Sequence, residues 1–200
     1  AMVATILYRQ AGSPAVTGKS TFPDVTDQWF AEDVAYVAEK GLMTGTGDGK
    51  FSPSMTTSRG MIVTILWRME GEAAAQTVPA FADVAEGAYY AKAVAWAAEN
   101  SIVTGYSDSV FGPNDAITRE QLAVILFRYA QSKGLAAVDA AEHLNAFADA
   151  ADVSSYAVQA MNWAVGQGLI QGSNGLLLPQ GTADRAQIAA VLHRFCELSK

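Results

Sequence analysis

One pattern occurs three times in this 200-residue chain, and it constrains the fold more than any other feature. Each copy has a loop rich in Gly, Asp or Ser, a residue that can cap a helix, an arginine, and then an apolar helix-forming run. The arginines lie 60 and 66 residues apart, at Arg59, Arg119 and Arg185. A period of this length predicts tandem structural units rather than one irregular domain.

The repeats also set the predicted domain boundaries. Each copy opens with Phe-x-Asp, and the three units are predicted at residues 20–71, 81–132 and 147–198. The first segment, AMVATILYRQAG, matches MIVTILWRMEG near Met61. Residues 1–12 are therefore expected to be the second helix of a truncated preceding repeat, in a fragment of a longer protein.

Two helices are predicted in each repeat. In the first helix, apolar residues recur at near-helical spacing, as in Phe30, Val34, Val37 and Leu42, which is typical of an amphipathic helix. The second helix starts at a residue that can cap it: Ser58, Thr118 or Asp184. It is apolar on nearly all sides for two turns, so it is predicted to lie deep, with the first helices against it. No segment alternates as a strand would, and the predicted fold class is all-α.

Composition excludes several classes of function. The net charge of −7 argues against a nucleic acid partner and against docking on anionic lipid. No apolar run is long enough for membrane insertion, and the first residues lack the features of a signal peptide. A single cysteine, Cys196, gives neither a disulfide framework nor a cysteine-rich metal site. Enzyme signatures are absent, so no catalytic residue, metal or cofactor is predicted.

A candidate anion site recurs at the start of each second helix. The first-turn N–H groups of a helix have no partner within it and carry the positive end of its dipole. The arginine beside them adds a planar fork that can hold a carboxylate. An aromatic side chain upstream in each repeat can stack on a sugar ring: Trp29, Tyr89 and Tyr156. Gln121 and Gln187 can bond ring hydroxyls, and the pattern therefore favours an acidic sugar as the ligand.

The same arginines fit a structural role equally well. Each can tie its loop to the first helix through the aspartate of Phe-x-Asp, which is Asp24, Asp83 or Asp149. The sequence leaves these two roles open.

A second arginine recurs nine residues after the first, at Arg68, Arg128 and Arg194. Nine residues make two and a half helical turns, so this side chain points away from the first arginine of its helix. The set is predicted to be scaffold near the helix end, where a cation is favoured. His193, which aligns with Trp67, is predicted to pack against apolar neighbours.

Together these motifs resemble the S-layer homology (SLH) module, which occurs as three tandem copies in bacterial surface proteins. The resemblance rests on the Phe-x-Asp opening, the aromatic, the Gly-x-x-x-Gly turn, the Phe-x-Pro and the Thr-Arg-type helix start, in that order. It implies a pseudo-threefold spindle around a central helical bundle. It also implies non-covalent attachment to a secondary cell-wall polysaccharide, often carrying pyruvylated N-acetylmannosamine, at the extracellular cell surface.

The chain departs from the family motif in ways that make its three sites unequal. The glutamate expected two residues after each arginine is replaced by Met61, Gln121 and Gln187, and Asp184 places a negative charge beside Arg185. The groove at Arg119 is therefore expected to be the most competent. Because the other copies are degenerate, a helical protein–protein interaction scaffold is the alternative function. A wall hydrolase would need a catalytic pair that the sequence lacks.

Overall fold

The computed structural model describes residues 20–77, 81–136 and 142–198, and the helix predicted in residues 1–12 lies outside them. The described ranges contain six α-helices, two in each repeat: α1 (Ala31–Glu39), α2 (Arg59–Met69), α3 (Ala91–Glu99), α4 (Arg119–Ser132), α5 (Val158–Gly166) and α6 (Arg185–Leu198). Two 3₁₀ helices, His143–Ala146 and Ala150–Asp152, precede α5. These ranges hold isolated bridges but no strand, so the all-α prediction is confirmed. None of the helices described is long and apolar enough to cross a membrane.

The second helix of each repeat begins at the capping residue that the sequence predicts. The side-chain oxygen of the cap accepts a hydrogen bond from the amide three residues further on. The donor–acceptor distance is 3.3 Å at Ser58, 3.3 Å at Thr118 and 2.8 Å at Asp184. A cap of this kind contributes about 1 kcal/mol to helix stability, so the position of each helix start is fixed locally.

The first helix of each repeat ends next to a residue in the left-handed conformation. Gly41 follows α1 at φ 67° and Gly168 follows α5 at φ 69°, which glycine adopts without strain. In repeat 2 the same position is Ser101 at φ 57°. A side chain there is strained, so this is the least favourable of the three helix ends.

Helix packing closes the chain into a ring. The first helix of each repeat packs against the second helix of the preceding repeat: α3 on α2, α5 on α4, and α1 on α6. The last of these contacts joins the beginning of the described chain to its end. Repeats 1 and 3 are therefore neighbours in the ring although they are far apart in sequence, and both can contribute to one groove.

The second helices lie deepest, as predicted. Seven of the 11 residues of α2 are buried, compared with four of the nine residues of α1. Leu66, Leu126 and Ile188 have no exposed surface, and the first helices contribute Val34 and Val94, which are also fully buried, to the same core. Each such side chain contributes about 1.5–3 kcal/mol through the burial of apolar surface. The core is therefore shared by all three repeats, and no repeat has a core of its own.

Three backbone hydrogen bonds form a closed triangle at the centre of the ring. The Thr57 N–H donates to the Ala183 carbonyl at 3.0 Å, the Ala183 N–H to the Ile117 carbonyl at 3.0 Å, and the Ile117 N–H to the Thr57 carbonyl at 2.9 Å. These are the residues just before the caps of α2, α4 and α6. The triangle gives the three helix starts a pseudo-threefold relation.

The triangle contains one polar side chain that lacks a partner. The Thr57 hydroxyl is buried and makes no hydrogen bond with any residue the structure describes, whereas the equivalent positions hold Ile117 and Ala183. We expect Thr57→Val to raise the free energy of unfolding by about 1 kcal/mol, because an unsatisfied buried hydroxyl costs ~1–3 kcal/mol. Urea denaturation measures this change.

Thr64→Val is the matched control, since the Thr64 hydroxyl is also buried but donates to the Gly60 carbonyl at 2.7 Å. This variant should be no more stable than the wild type. A loss of stability in Thr57→Val would show that the Thr57 hydroxyl has a stabilising role.

Candidate functional site

The aspartate of each Phe-x-Asp motif holds the glycine-rich loop of its own repeat. Asp83 accepts hydrogen bonds from the backbone N–H groups of Phe111 at 2.9 Å and Gly112 at 2.7 Å. Asp24 and Asp149 make the same pair of bonds in repeats 1 and 3. Burial raises the pKa of these carboxyl groups, but the backbone hydrogen bonds outweigh it, and the pKa of each is lowered. The loops are thus fastened by ionised carboxylates.

The first arginine of each second helix reaches into the loop of the next repeat. Arg59 donates from Nε to the Phe111 carbonyl at 3.0 Å and from Nη2 to the Thr104 carbonyl at 3.1 Å. Arg185 makes the equivalent pair of bonds to carbonyls of repeat 1, at 2.8 and 2.6 Å. The alternative structural role is therefore present, but in a different form. The arginine does not bind the aspartate directly. It binds carbonyls of the loop of the next repeat, and the aspartate of that repeat binds N–H groups of the same loop.

The prediction that the first-turn N–H groups are free to receive an anion is wrong. In α2, the Arg59 N–H donates to the Asp115 carbonyl at 3.0 Å and the Gly60 N–H to the Pro113 carbonyl at 2.8 Å. The third N–H is taken by the cap, and α4 and α6 repeat the arrangement. The ring packs the loop of the next repeat onto each helix start, which satisfies these donors. An anion in this region must therefore be held by side chains.

A groove of about 450 Å³, the Arg119 groove, lies between repeats 2 and 3. Its lining combines Arg119 of repeat 2, Gln187 and Arg194 of repeat 3, and Trp29 of repeat 1. The Arg119 Nε donates to the Leu177 carbonyl at 2.6 Å. Its terminal Nη groups make no hydrogen bond within the described residues. Two strong donors are thus available to a ligand, next to a tryptophan that is 67% exposed.

The shorter third loop accounts for the free end of Arg119. Arg59 and Arg185 each donate to a second carbonyl, at Thr104 and Thr44. The loop of repeat 3 is one residue shorter, and Arg119 makes only the Nε bond described above. Burial lowers the pKa of all three guanidinium groups, although arginine remains a cation at any physiological pH.

A second groove of about 360 Å³, the Arg59 groove, lies between repeats 1 and 2. Arg59 comes from repeat 1, Tyr106, Gln121 and Arg128 from repeat 2, and Tyr156 from repeat 3. The Arg59 guanidinium lies over the Tyr106 ring, 4.5 Å from its centroid, which stabilises the cation and fixes its plane. This groove is smaller, and its arginine is held more tightly.

Both grooves are built from the same four positions of the repeat. The first arginine of one repeat faces the glutamine and second arginine of the next, and the aromatic residue comes from the repeat after that. Arg128 and Arg194, which the sequence predicts to be scaffold, thus line the grooves as well, and Arg194 also donates from Nη1 to the Leu169 carbonyl at 3.3 Å. They do point away from the first arginine of their own helix, but in a ring that direction faces the first arginine of the preceding repeat.

The two predicted glutamines enter the grooves with one end already engaged. Gln121 Oε1 accepts from the Thr118 N–H at 3.4 Å, while Thr118 Oγ1 accepts from the Gln121 N–H, which together form a capping box. Gln187 Oε1 accepts from the Asp184 N–H at 3.3 Å in the same way. Their contact with a ring hydroxyl stays a prediction, and in it the side-chain amide N–H groups are the donors.

Two of the predicted ligand residues do not line either groove. Arg185 is 7% exposed and its guanidinium lies 4.4 Å from the centroid of the Phe51 ring. Tyr89 is exposed and packs edge-on against Tyr90, with ring centroids 4.9 Å apart. Arg185 joins repeat 3 to repeat 1 through its hydrogen bonds to the Phe51 and Thr44 carbonyls. A ligand role for Arg185 and Tyr89 stays a prediction.

His193 does more than pack, contrary to the prediction. Its Nδ1 lies 2.7 Å from the Asp33 carboxylate, and its ring stacks on Tyr36 with centroids 4.1 Å apart. Both partners belong to α1. His193 therefore joins α6 to α1, the pair of helices that closes the ring.

Sequence reasoning missed Tyr106, which lines the Arg59 groove, and Glu120, which accepts a hydrogen bond from the hydroxyl of Tyr156 in that groove. Repeat 1 has Thr46 in place of Tyr106, and the position of Glu120 holds Gly60 and Ala186 in the other copies. A comparison of repeats finds what is common to them, so residues that occur once escape it. The aromatic residue directly after Gly105 was the signal that the sequence offered for Tyr106.

Sequence comparison identifies the protein family of this chain. The S-layer homology domain matches residues 21–60, 80–123 and 146–189, which is more than half of the chain. The chain therefore belongs to the S-layer homology family, with three tandem repeats.

Curated relatives share this segment as part of longer proteins. An amylopullulanase of Thermoanaerobacterium thermosulfurigenes is 28% identical over 182 residues, 90% of this chain and 10% of the relative. The surface-layer 125 kDa protein of Lysinibacillus sphaericus is 34% identical over 171 residues, 83% of this chain and 14% of the relative. The S-layer protein sap of Bacillus anthracis is 30% identical over 128 residues, 63% of this chain and 15% of the relative. The chain spans only a small part of each relative.

The lowered pKa values of Asp24, Asp83 and Asp149 predict how the stability of the protein depends on pH. A carboxyl group whose pKa is lowered by folding stabilises the protein above its unfolded value of 3.8 and loses that contribution as pH falls through the folded value. Asp83→Asn should therefore be less stable than the wild type at pH 7, by about 1 kcal/mol, and should lose less stability on acidification below pH ~4. Thermal unfolding across this pH range measures both effects.

The control for this experiment is Asp108→Asn, which removes an exposed carboxylate from the same loop. It should follow the wild-type pH profile. If Asp83→Asn and the wild type lose the same amount of stability as the pH falls, the charge of Asp83 does not stabilise the loop.

Proposed function

We propose that this chain anchors a bacterial surface protein to the cell wall by non-covalent binding of a secondary cell-wall polysaccharide in the Arg119 and Arg59 grooves. The ligand proposed is a polymer that carries pyruvylated N-acetylmannosamine, because the pyruvyl ketal presents a carboxylate on a sugar ring. The observation that carries the proposal is the Arg119 guanidinium, whose Nη groups have no partner among the described residues and lie in a groove with Arg194 and Trp29.

The electrostatics of the grooves support an anionic ligand despite the overall charge of −7. Each groove has two arginines, one from each of two repeats. A guanidinium can hold a carboxylate through two parallel hydrogen bonds. Binding thus depends on local placement of charge, which favours a small charged substituent over a long polyanion.

The aromatic residues support a carbohydrate ligand. Trp29 is 67% exposed and Tyr156 is 58% exposed, and each forms one wall of its groove. An exposed aromatic ring in a groove offers a flat apolar face on which a sugar ring can lie, with the arginines beside it. Trp29 packs edge-on against Phe30, with ring centroids 5.3 Å apart, and two thirds of its surface is still exposed.

The relatives also favour attachment over catalysis for this segment. One is named for polysaccharide degradation and others as surface-layer proteins, yet they share this region with the chain. A segment common to proteins with such different names fits a shared means of attachment at the extracellular surface. Any catalytic activity of the parent protein is proposed to reside outside these repeats.

The first test is binding of the protein to purified cell walls. Arg119→Ala should weaken binding by about 10-fold or more, since a hydrogen bond to a charged group contributes ~1.5–3 kcal/mol. Chemical removal of pyruvate from the walls should weaken wild-type binding at least as much. Unchanged binding in both arms would contradict the proposal and favour a protein–protein interaction scaffold.

The second arginines give a sharper test of the groove geometry. Arg128→Gln and Arg194→Gln should each weaken binding to cell walls by about 5-fold or more, because each removes a cation from one of the two grooves. Arg68→Gln is the matched control, since Arg68 holds the same position in α2 but lines neither groove. Equal losses in all three variants, measured by co-sedimentation, would contradict the assignment of Arg128 and Arg194 to the site.

A further inference from the structure

A buried carboxylate next to the Arg59 groove is not used by the binding chemistry above, although it is bonded to Tyr156, which lines that groove. Glu120, the second residue of α4, is 2% exposed. A glutamate this deeply buried requires hydrogen-bond donors around it, because an uncompensated charge away from water is costly. Its partners all belong to repeat 3, so they lie across the boundary between two repeats.

Three donors converge on the Glu120 carboxylate. The Ser154 N–H donates at 3.0 Å, the Ser154 hydroxyl at 2.8 Å, and the Tyr156 hydroxyl at 2.8 Å. Gln180 in turn donates to the Ser154 hydroxyl at 3.1 Å. Burial raises the pKa of Glu120, but these hydrogen bonds outweigh it and the pKa is lowered, so the group is a carboxylate at neutral pH.

The direction of the tyrosine bond follows from this charge. A carboxylate has no proton to give, so the phenol must donate its only one to Glu120. Burial and the bond to Glu120 raise the pKa of Tyr156 to about 12, and its hydroxyl stays protonated. The Tyr156 oxygen therefore offers only lone pairs to the groove. The arginines beside it can only donate.

The other two aromatics lack this tether. The residue equivalent to Glu120 is Gly60 in α2 and Ala186 in α6, and neither has a side chain that can accept a hydrogen bond. Tyr89 and Trp29 thus have no carboxylate at the corresponding place. Of the two grooves described, the Arg59 groove therefore has this tether and the Arg119 groove does not.

We propose that Glu120 is a positioning residue that makes the Tyr156 hydroxyl an obligate hydrogen-bond acceptor, so that the Arg59 groove selects a sugar with a free hydroxyl beside its carboxylate. This inference rests on the proposed function, because it assigns a ligand preference to one of the same grooves. If that sugar hydroxyl is converted to an ether or an ester, its oxygen has no proton to donate. Its lone pairs then face those of the Tyr156 oxygen, and the two oxygens repel each other. The Arg119 groove, which has Trp29 in this place, makes no such distinction.

The test compares two probes in solution: the methyl glycoside of pyruvylated N-acetylmannosamine, and the same sugar with its free ring hydroxyl methylated. NMR of labelled tyrosine and tryptophan follows Tyr106 for the Arg59 groove and Trp29 for the Arg119 groove, each assigned by substitution. In the wild type, the free sugar should bind about 10-fold more tightly than the methylated one at Tyr106. At Trp29 the two probes should bind within about 2-fold of each other.

Glu120→Gln should abolish the preference at Tyr106, because the amide can donate to the phenol oxygen and release its proton. Tyr156→Phe should abolish it too, and the double variant should lose nothing further. Glu39→Gln, an exposed carboxylate on α1, is the matched control and should keep the wild-type preference. Merely structural damage would weaken both probes equally and leave the ratio unchanged. If Glu120→Gln unfolds, Glu120→Ala replaces it, since α6 already has Ala186 at this position.

The outcomes separate this inference from the proposed function. Binding at Trp29 but not at Tyr106, or a preference that survives in Glu120→Gln, overturns the inference and leaves wall-sugar binding intact. If neither the free nor the methylated sugar shifts any signal, the proposed function is overturned, and the inference falls with it.

Discussion

The closed triangle of backbone hydrogen bonds through Thr57, Ile117 and Ala183 is the constraint on which the rest of the structure depends. It brings the starts of α2, α4 and α6 together, so each helix start meets the loop of the next repeat. The arginine at that start then binds the carbonyls of that loop, and an aspartate binds its N–H groups. Hydrogen bonds of this kind therefore join each repeat to the next all the way around the ring.

The same ring determines what a groove can contain. Because the first helix of each repeat packs on the preceding repeat, the aromatic residue of one repeat lies beside arginines of the other two. A change in one copy therefore alters a groove that its neighbours complete. The shorter loop of repeat 3 frees Arg119, and Glu120 fixes Tyr156, so the two grooves have the same plan but different chemistry.

Much of the fold could be predicted from the sequence because it is encoded locally. Helix caps such as Thr118, the apolar face of α1 and the repeat period depend on residues close in sequence. The cyclic order could not be predicted, since nothing local tells whether α1 packs on α2 or on α6. The placement of Arg128 in a groove follows from this gap. Its own helix sets its direction, but Arg59, which it faces, belongs to the preceding repeat. The satisfied N–H groups of α2 and the Glu120–Tyr156 bond also cross repeat boundaries, and escaped prediction for the same reason.

Each of the two grooves is lined by residues of all three repeats. A crystal structure of the protein soaked with a pyruvylated wall-sugar fragment shows whether a ligand uses this composite surface. We expect the carboxylate against Arg119 and Arg194 with the sugar ring on Trp29, so that one bound molecule touches repeats 1, 2 and 3. A sugar bound to residues of a single repeat, or bound away from both grooves, would contradict a composite site.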